Sequence, residues 1–211
     1  MSDQVHEHRH FIPAMGQQRL LPVYDFTGWL AGVPRMHRTL LDSAAITPGL
    51  AVLEIGCGTG NLIIRAARQH PGATLTGLDP DRIALANAGR KVARRGLAVR
   101  LDVGYADALP YPDGSQDREL SSLMFHHLDE AGKDGALREA LRVLRPGGEL
   151  HLLDFTGGGH GPMPERIRAG ADDRIPDRLR SLGFADVART AEVRARWGFG
   201  TCSIFRGVRS A

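Results

Sequence analysis

An apolar run that ends in three alternating glycines limits this chain more than any other feature. It reads Val52-Leu53-Glu54-Ile55-Gly56-Cys57-Gly58-Thr59-Gly60-Asn61-Leu62. The apolar residues predict a short buried strand, and the glycines let the backbone turn sharply and approach a ligand with no Cβ in the way. Leu62, Ile63, Ala66 and Ala67 then recur at helical spacing. The loop therefore joins a strand end to a helix N-terminus, where backbone N–H groups face a ligand. A tight strand-to-helix connection would account for the glycines alone, but the spacing says more. A dinucleotide fingerprint reads GxGxxG, whereas this loop reads ExGxGxG, and Glu54 places a carboxylate suited to a cation just before the glycines.

The signals downstream keep a consistent order. Leu75-Thr76-Gly77-Leu78-Asp79 predicts a second strand ending in an acid, about 20 residues past the loop, where a carboxylate can accept from both ribose hydroxyls. Helix capping is the competing role, because Asp79 or Asp81 could cap the helix through Ile83, Leu85, Ala86 and Ala88. A third strand is expected over residues 98–103, followed by the turn Gly104-Tyr105-Ala106-Asp107-Ala108-Leu109-Pro110. A fourth is expected over Leu120-Ser121-Ser122-Leu123-Met124-Phe125-His126-His127-Leu128, ending in a histidine pair. A helix over residues 137–144 then stops at the turn Pro146-Gly147-Gly148, which launches a fifth strand ending at Asp154-Phe155.

These five stretches, spanning about residues 45–156, resemble the motifs of the class I S-adenosylmethionine-dependent methyltransferases, and within them the small-molecule type of ubiquinone and menaquinone biosynthesis. The resemblance implies an α/β Rossmann-like, doubly wound, seven-stranded sheet, mostly parallel with an antiparallel last strand. It implies S-adenosylmethionine as cofactor and S-adenosylhomocysteine as product. The cradle would be Glu54, Gly56, Cys57, Gly58 and Gly60, with Asp79 on the ribose, Pro80 against the adenine and Asp107 accepting from its amino group. Ala108 and Met124 join the cofactor contacts, and Tyr24 resembles a tyrosine that closes over the methionine end.

A sulfonium is already an activated donor, so the enzyme mainly has to hold the acceptor in line with the methyl group. A proton must still leave an O–H, N–H or C–H acceptor. His126 or His127 is placed to take it, with Asp154 as an orienting group or alternative base. No Asn/Asp-Pro-Pro-Tyr tetrad follows the fourth strand, which favours a small-molecule or lipid-like acceptor over a nucleobase or glutamine amide. Two other classes stay open: a silent S-adenosylmethionine-binding regulator, and an NAD(P)-dependent oxidoreductase, which the loop spacing and the lack of a Tyr-x-x-x-Lys pair disfavour. One departure concerns the fourth strand, which reads Gln116-Asp117-Arg118-Glu119-Leu120 where apolar residues are usual. Since burying an unpaired carboxylate is costly, the strand is expected to start one or two residues later, leaving Glu119 near the surface. Pairing with Arg118 or another arginine is the alternative.

Composition narrows the partners. The net charge of +3 and pI near 9.2 do not describe a nucleic-acid binder, because the basic residues are scattered among acids and Lys91 and Lys133 are the only lysines. The densest cluster, Arg90 to Arg95, reads as a solvated helix face. Two cysteines, Cys57 and Cys202, argue against a disulfide framework, a Cys-based zinc site and arsenite methylation. His6, His8 and His10 alternate in a polar stretch, and no functional metal is expected there. No run reaches membrane-spanning length and the first residues lack a signal-peptide apolar core, so a cytoplasmic location is expected.

One domain is expected over residues 1–211, with 1–45 as an N-terminal lid, 46–156 as the cofactor-binding core, and 157–211 as a substrate loop and closing hairpin. The glycine-rich stretch 157–164 leads into residues 166–180, the best candidate for substrate contact. A helix ending at Gly183 and strands over about 187–196 and 201–208, flanking Trp197-Gly198-Phe199-Gly200, complete the chain.

Overall fold

A computed structural model of the chain describes residues 32–157, 171–195 and 200–210. Seven strands form a single sheet: β1 (Ala51–Ile55), β2 (Thr74–Asp79), β3 (Arg100–Val103), β4 (Gln116–Ser122), β5 (Leu144–Gly157), β6 (Phe184–Arg194) and β7 (Thr201–Arg209). Their order is β3-β2-β1-β4-β5-β7-β6. All neighbours from β3 to β5 are parallel, and β7 runs antiparallel to both β5 and β6. The sheet is the mostly parallel, seven-stranded one expected, with the antiparallel last strand. Its order reverses between β1 and β4, and in open sheets of this kind ligands bind outside the carboxyl ends of the strands at that reversal.

The helices are α1 (Val33–Ala44), α2 (Asn61–Gln69), α3 (Arg82–Ala93), α4 (Glu130–Val143) and α5 (Ile175–Ser181). Side chains alternate across each strand, so β1 feeds both faces. Val52 joins Met36, Leu40, Leu41, Leu62, Ile63, Leu120 and Leu153 on the α1–α2 side. Leu53 and Ile55 join Leu78, Leu109, Tyr111 and Val143 on the other. A third cluster sets Leu137 and Ala140 of α4 and Leu179 of α5 against Leu150, Leu152 and Phe205. Covered faces on both sides explain the apolar runs of the central strands.

Helix α3 is capped by Asp81, whose Oδ1 accepts from the N–H of Ile83 at 2.8 Å and of Ala84 at 3.1 Å, so the capping role falls to Asp81 and not to Asp79. Strand β3 is shorter than expected, beginning at Arg100. Strand β5 is longer: Pro146-Gly147-Gly148 lies inside it as an irregularity, between the pairs Gln116–Leu144 and Arg118–Glu149, with Gly147 at φ 77°. The histidine pair is not on β4, which ends at Ser122, but on a 3₁₀ turn over Phe125–His127. Leu123 lies between them at φ 55°, a left-handed conformation that turns the chain sharply off the sheet. At the far edge, β6 carries two register shifts against β7, with Asp186 at φ 46° beside the first.

The expectation for Glu119 was wrong. Strand β4 begins at Gln116, and Glu119 sits in register between Leu53 of β1 and Leu150 of β5, fully buried. Arg118 cannot pair with it, because neighbouring side chains of a strand point to opposite faces. The Arg118 guanidinium bonds the carbonyls of Ala44 and Asp117 and lies 3.6 Å from Glu149. Neither Glu119 oxygen has a hydrogen-bond partner among the described residues, and burial, with the nearby Glu139 charge, pushes its carboxyl well above the usual range. Burial thus favours the neutral acid at this position, which lessens the charge cost that had argued for exposure.

Candidate functional site

The loop between β1 and α2 is built from left-handed glycines. Gly56, Gly58 and Gly60 have φ of 70°, 51° and 79°, a region other residues rarely adopt. Two of them are also sterically confined. A Cβ on Gly56 would lie 2.3 Å from Met124 Cγ, and one on Gly60 would lie 2.9 Å from Ala88 Cβ. On Gly58 it would meet no atom of the described residues within 4 Å, so among them bare backbone borders open space at this point.

The loop is tied down from three directions. The N–H groups of Gly56 and Cys57 both donate to Leu78 O, at 2.8 and 3.0 Å, and Gly60 N–H donates to Cys57 O at 2.8 Å. The N–H groups of Gly56 and Cys57 thus anchor the loop to β2, and that of Gly60 closes the loop on itself, instead of facing a ligand. Asp79, at the end of β2, accepts from Gly58 N–H through Oδ2 and from Asp81 N–H through Oδ1, both at 2.8 Å. Burial raises its pKa, and these two N–H bonds oppose the rise. Each of its oxygens keeps a second lone pair for a further donor. From α3, Lys91 Nζ donates to Thr59 O at 3.1 Å and to Asn61 Oδ1 at 3.0 Å. Sequence reasoning placed Lys91 on a solvated face and missed this role.

Glu54 is buried at the end of β1, where burial drives its pKa well up, opposed by a bond from the N–H of Ile63. It therefore serves the first turn of α2, whose N-cap Gly60 supplies no side chain. Its Oε2 has no hydrogen-bond partner among the described residues. Cys57 is buried with Sγ against Gly77, so the thiol faces the sheet and burial raises its pKa. Pro80 and Met124 are half-buried, while Asp107 and Ala108 are exposed. The turn carrying Asp107 is joined to the site through Gly104 N–H, which donates to Asp79 O at 3.3 Å, and its far side is held by Leu109 N–H on Glu139 at 2.7 Å. Asp107 Cβ packs against Gly135 of α4.

Beyond β4, His126 is buried and paired with Asp154, three residues before the end of β5. Its Nδ1 lies 2.6 Å from Asp154 Oδ1, and its backbone N–H donates to Oδ2 at 3.0 Å. Phe155 N–H adds a third bond to the same carboxylate at 2.7 Å. With Nδ1 turned to Asp154, Nε2 is the ring nitrogen left to meet a substrate proton. The His127 ring lies 4.1 Å away, half-buried, and Phe155 meets His126 edge-on at 5.3 Å. Tyr24, His6, His8, His10 and Trp197 lie outside the described residues, as do residues 158–170 of the expected substrate stretch. Among the described residues, no group of three or more His, Cys, Asp or Glu is placed to hold a metal ion, and no helix is long and apolar enough to cross a membrane.

On the α1 face, His37 of α1 bonds Ser122 Oγ at 3.1 Å, and burial, aided by the Arg65 charge, lowers its pKa to about 4. Deeper on the same face, Ser43 Oγ meets His151 Nδ1 at 3.2 Å, and His151 Nε2 meets Glu149 Oε2 at 2.9 Å. Sequence reasoning named neither histidine. His37 had a readable signal, since it falls on the stripe of Met36, Leu40, Leu41 and Ala44 that the helix buries.

Comparison with known proteins gives a consistent picture. Residues 52–148 match a family described as a methyltransferase domain. The chain is 38% identical over 121 residues to a demethylmenaquinone methyltransferase of Thermus thermophilus, covering 57% of this chain and 54% of that protein. It is 31% identical over 159 residues to a ubiquinone/menaquinone biosynthesis C-methyltransferase of Cereibacter sphaeroides, covering 74% and 62%. The match thus spans between half and two thirds of each relative's length. Among solved structures, the [4+2]-cyclase SpnF superposes with a TM-score of 0.72 at 22% identity, over 84% of this chain and 80% of that one. A Haemonchus contortus phosphoethanolamine N-methyltransferase in complex with S-adenosylhomocysteine gives a TM-score of 0.70 at 16% identity, over 84% and 53%. At these identities the likeness is one of fold.

Proposed function

Because residues 52–148 match the methyltransferase-domain family, we propose that this protein transfers the methyl group of S-adenosylmethionine to a small-molecule or lipid-like acceptor. The observation that carries the reading is the clamp of Asp79 on Gly58. It holds an open, side-chain-free stretch of backbone against a carboxylate at the point where the strand order reverses. The residues fit the cofactor on two further counts. The unpartnered Oε2 of Glu54 leaves an acceptor beside the loop, and Asp79 retains lone pairs for ribose hydroxyls. In this reading the backbone of Gly56, Cys57, Gly58 and Gly60 forms the cradle. Asp79 holds the ribose, Pro80, Ala108 and Met124 line the nucleoside, and Asp107 accepts from the adenine amino group. Tyr24 is proposed to close over the methionine end.

When bound, the cofactor supplies a methyl group already activated by its sulfonium. The chain contributes position and proton management. Asp154 fixes the His126 ring through Nδ1, so Nε2 can accept the proton that leaves the acceptor, with His127 as its neighbour in the same turn. The relatives named for menaquinone and ubiquinone biosynthesis support a quinone-like member of that acceptor class.

Calorimetric titration with S-adenosylhomocysteine and with NAD tests the cofactor; binding of NAD alone would overturn the assignment. Turnover of His126→Ala and His127→Ala against a panel of quinone-like, polyketide-like and lipid acceptors tests the base, expected to fall about 10²–10⁴-fold when the true base is removed. Unchanged turnover in both removes that role. A second reading, cofactor held without methyl transfer, draws support from the cyclase that shares the fold, since a fold hosts many chemistries. Methyl transfer to any member of the panel would exclude it.

A further inference from the structure

A cluster of charges with two buried members, Lys133 and Asp172, lies close to the His126–Asp154 pair. Lys133 projects from the buried stripe of α4, in line with Ala136, Leu137 and Ala140, and is 4% exposed. Its Nζ stands 3.0 Å from Glu130 and 3.9 Å from Asp172, which is 5% exposed. Arg178 of α5 bonds Glu130 and Asp134 and lies 3.8 Å from Asp172. Asp172 Oδ1 also accepts from Arg174 N–H at 2.9 Å.

Two contacts connect this cluster to the proposed base. Lys133 Nζ lies 5.8 Å from the centroid of the Phe125 ring, a cation over an aromatic face, and Phe125 immediately precedes His126. Asp172 N–H donates to Phe155 O at 3.2 Å, and Phe155 immediately follows Asp154. The Lys133–Asp172 pair therefore touches the chain beside both halves of the dyad, Lys133 with its ammonium on the histidine side and Asp172, whose carboxylate lies 3.9 Å from that ammonium, with its backbone N–H on the carboxylate side. The histidine side needs such support. It is a single 3₁₀ turn without a side-chain cap, closed by His127 N–H on Met124 O and Leu128 N–H on Phe125 O. Stability does not account for the cluster, because replacing a buried ion pair by apolar residues is often neutral or better.

We propose that Lys133 and Asp172 are positioning residues that hold His126 and Asp154 in their bonded geometry. For its catalytic meaning the proposal rests on His126 being the base, but the geometry is tested without any turnover. The readout is the low-field proton resonance of the His126 Nδ1–H bonded to Asp154, assigned by its loss in His126→Gln. Asp172→Asn and Lys133→Met are expected to broaden it and to speed its exchange with water by more than about tenfold, while Lys133→Arg retains it. Affinity for S-adenosylhomocysteine should fall by less than about threefold in all three, because the glycine loop follows β1, Asp79 ends β2 and, of the proposed cofactor contacts among the described residues, only Met124 borders the 3₁₀ turn. If Lys133→Met fails to fold, the isosteric Asp172→Asn and the conservative Lys133→Arg carry the test. An unchanged resonance in Asp172→Asn overturns the proposal. Should His126→Ala leave turnover intact, the base assignment falls while the resonance result stands, so the two failures are distinguishable.

Discussion

Replacing Glu119 by methionine keeps an unbranched side chain of similar reach and takes two unpartnered oxygens out of the core between β1 and β5. An unsatisfied buried polar group costs about 1–3 kcal/mol, so Glu119→Met is expected to raise stability by that amount, read as an upward shift of the thermal midpoint. An unchanged or lower midpoint would show that the carboxyl has a partner in solution. Residues at this scale were legible where spacing constrains chemistry. The glycines and Asp79 stand where a strand end, a loop and a second strand end must meet. Glu119 was misread because cost was judged for an ionised group, whereas burial favours the neutral acid. Lys133 and Asp172 stand far apart in the chain and each reads as an ordinary surface charge. Only the helical stripe of α4 hints that Lys133 turns inward.

Among elements, the glycine loop and the helix starts respond differently to small changes. Gly60→Ala would force a left-handed alanine into Ala88 and to 3.3 Å from Ile64, wedging α2 from α3. Strain and overpacking together set its cost at about 2–4 kcal/mol of stability. Gly58→Ala meets no atom of the described residues, so its stability cost is the backbone term of about 1 kcal/mol, while its Cβ enters the space beside Asp79. Its signature should be loss of S-adenosylhomocysteine affinity by more than about tenfold, with a nearly native melting curve. Equal affinity in Gly58→Ala and wild type would move the cofactor away from this loop. Strand and helix types followed from periodicity, but their ends did not. Strand β5 runs through Pro146-Gly147-Gly148, which as a sequence reads only as a turn. The histidine pair leaves β4 because Leu123 adopts a conformation no side-chain pattern announces.

Across the whole molecule, four buried titratable groups set opposing slopes of stability against pH. His37, lowered to about 4, and His151, also lowered by burial, stay neutral in the fold. The unfolded chain takes up their protons below about 6.5, so their contribution is full above that pH and is lost as pH falls; for His37 the loss is complete near pH 4 and amounts to roughly 3 kcal/mol. Glu54 and Glu119 are raised by burial. The unfolded chain releases their protons above about 4.5, so their contribution is full below that pH and is lost as pH rises. Between about pH 4.5 and 6.5 the two trends partly cancel. Denaturant titrations across that window should show Glu119→Met losing stability more steeply than wild type on acidification, and His37→Gln losing less. Parallel curves for all three proteins would refute this assignment.

The bulged outer strand has a consequence for how the protein behaves in a crowd. A sheet edge invites another chain when it is long, flat and regular. Here one edge, β3, is four residues long, and the other, β6, is kinked twice out of register, with Asp186 twisting its backbone. Neither edge presents a run on which a neighbouring molecule could lay a matching strand. Concentrated solutions should therefore be protected against edge-to-edge fibre growth by the bends of β6 as much as by surface charge.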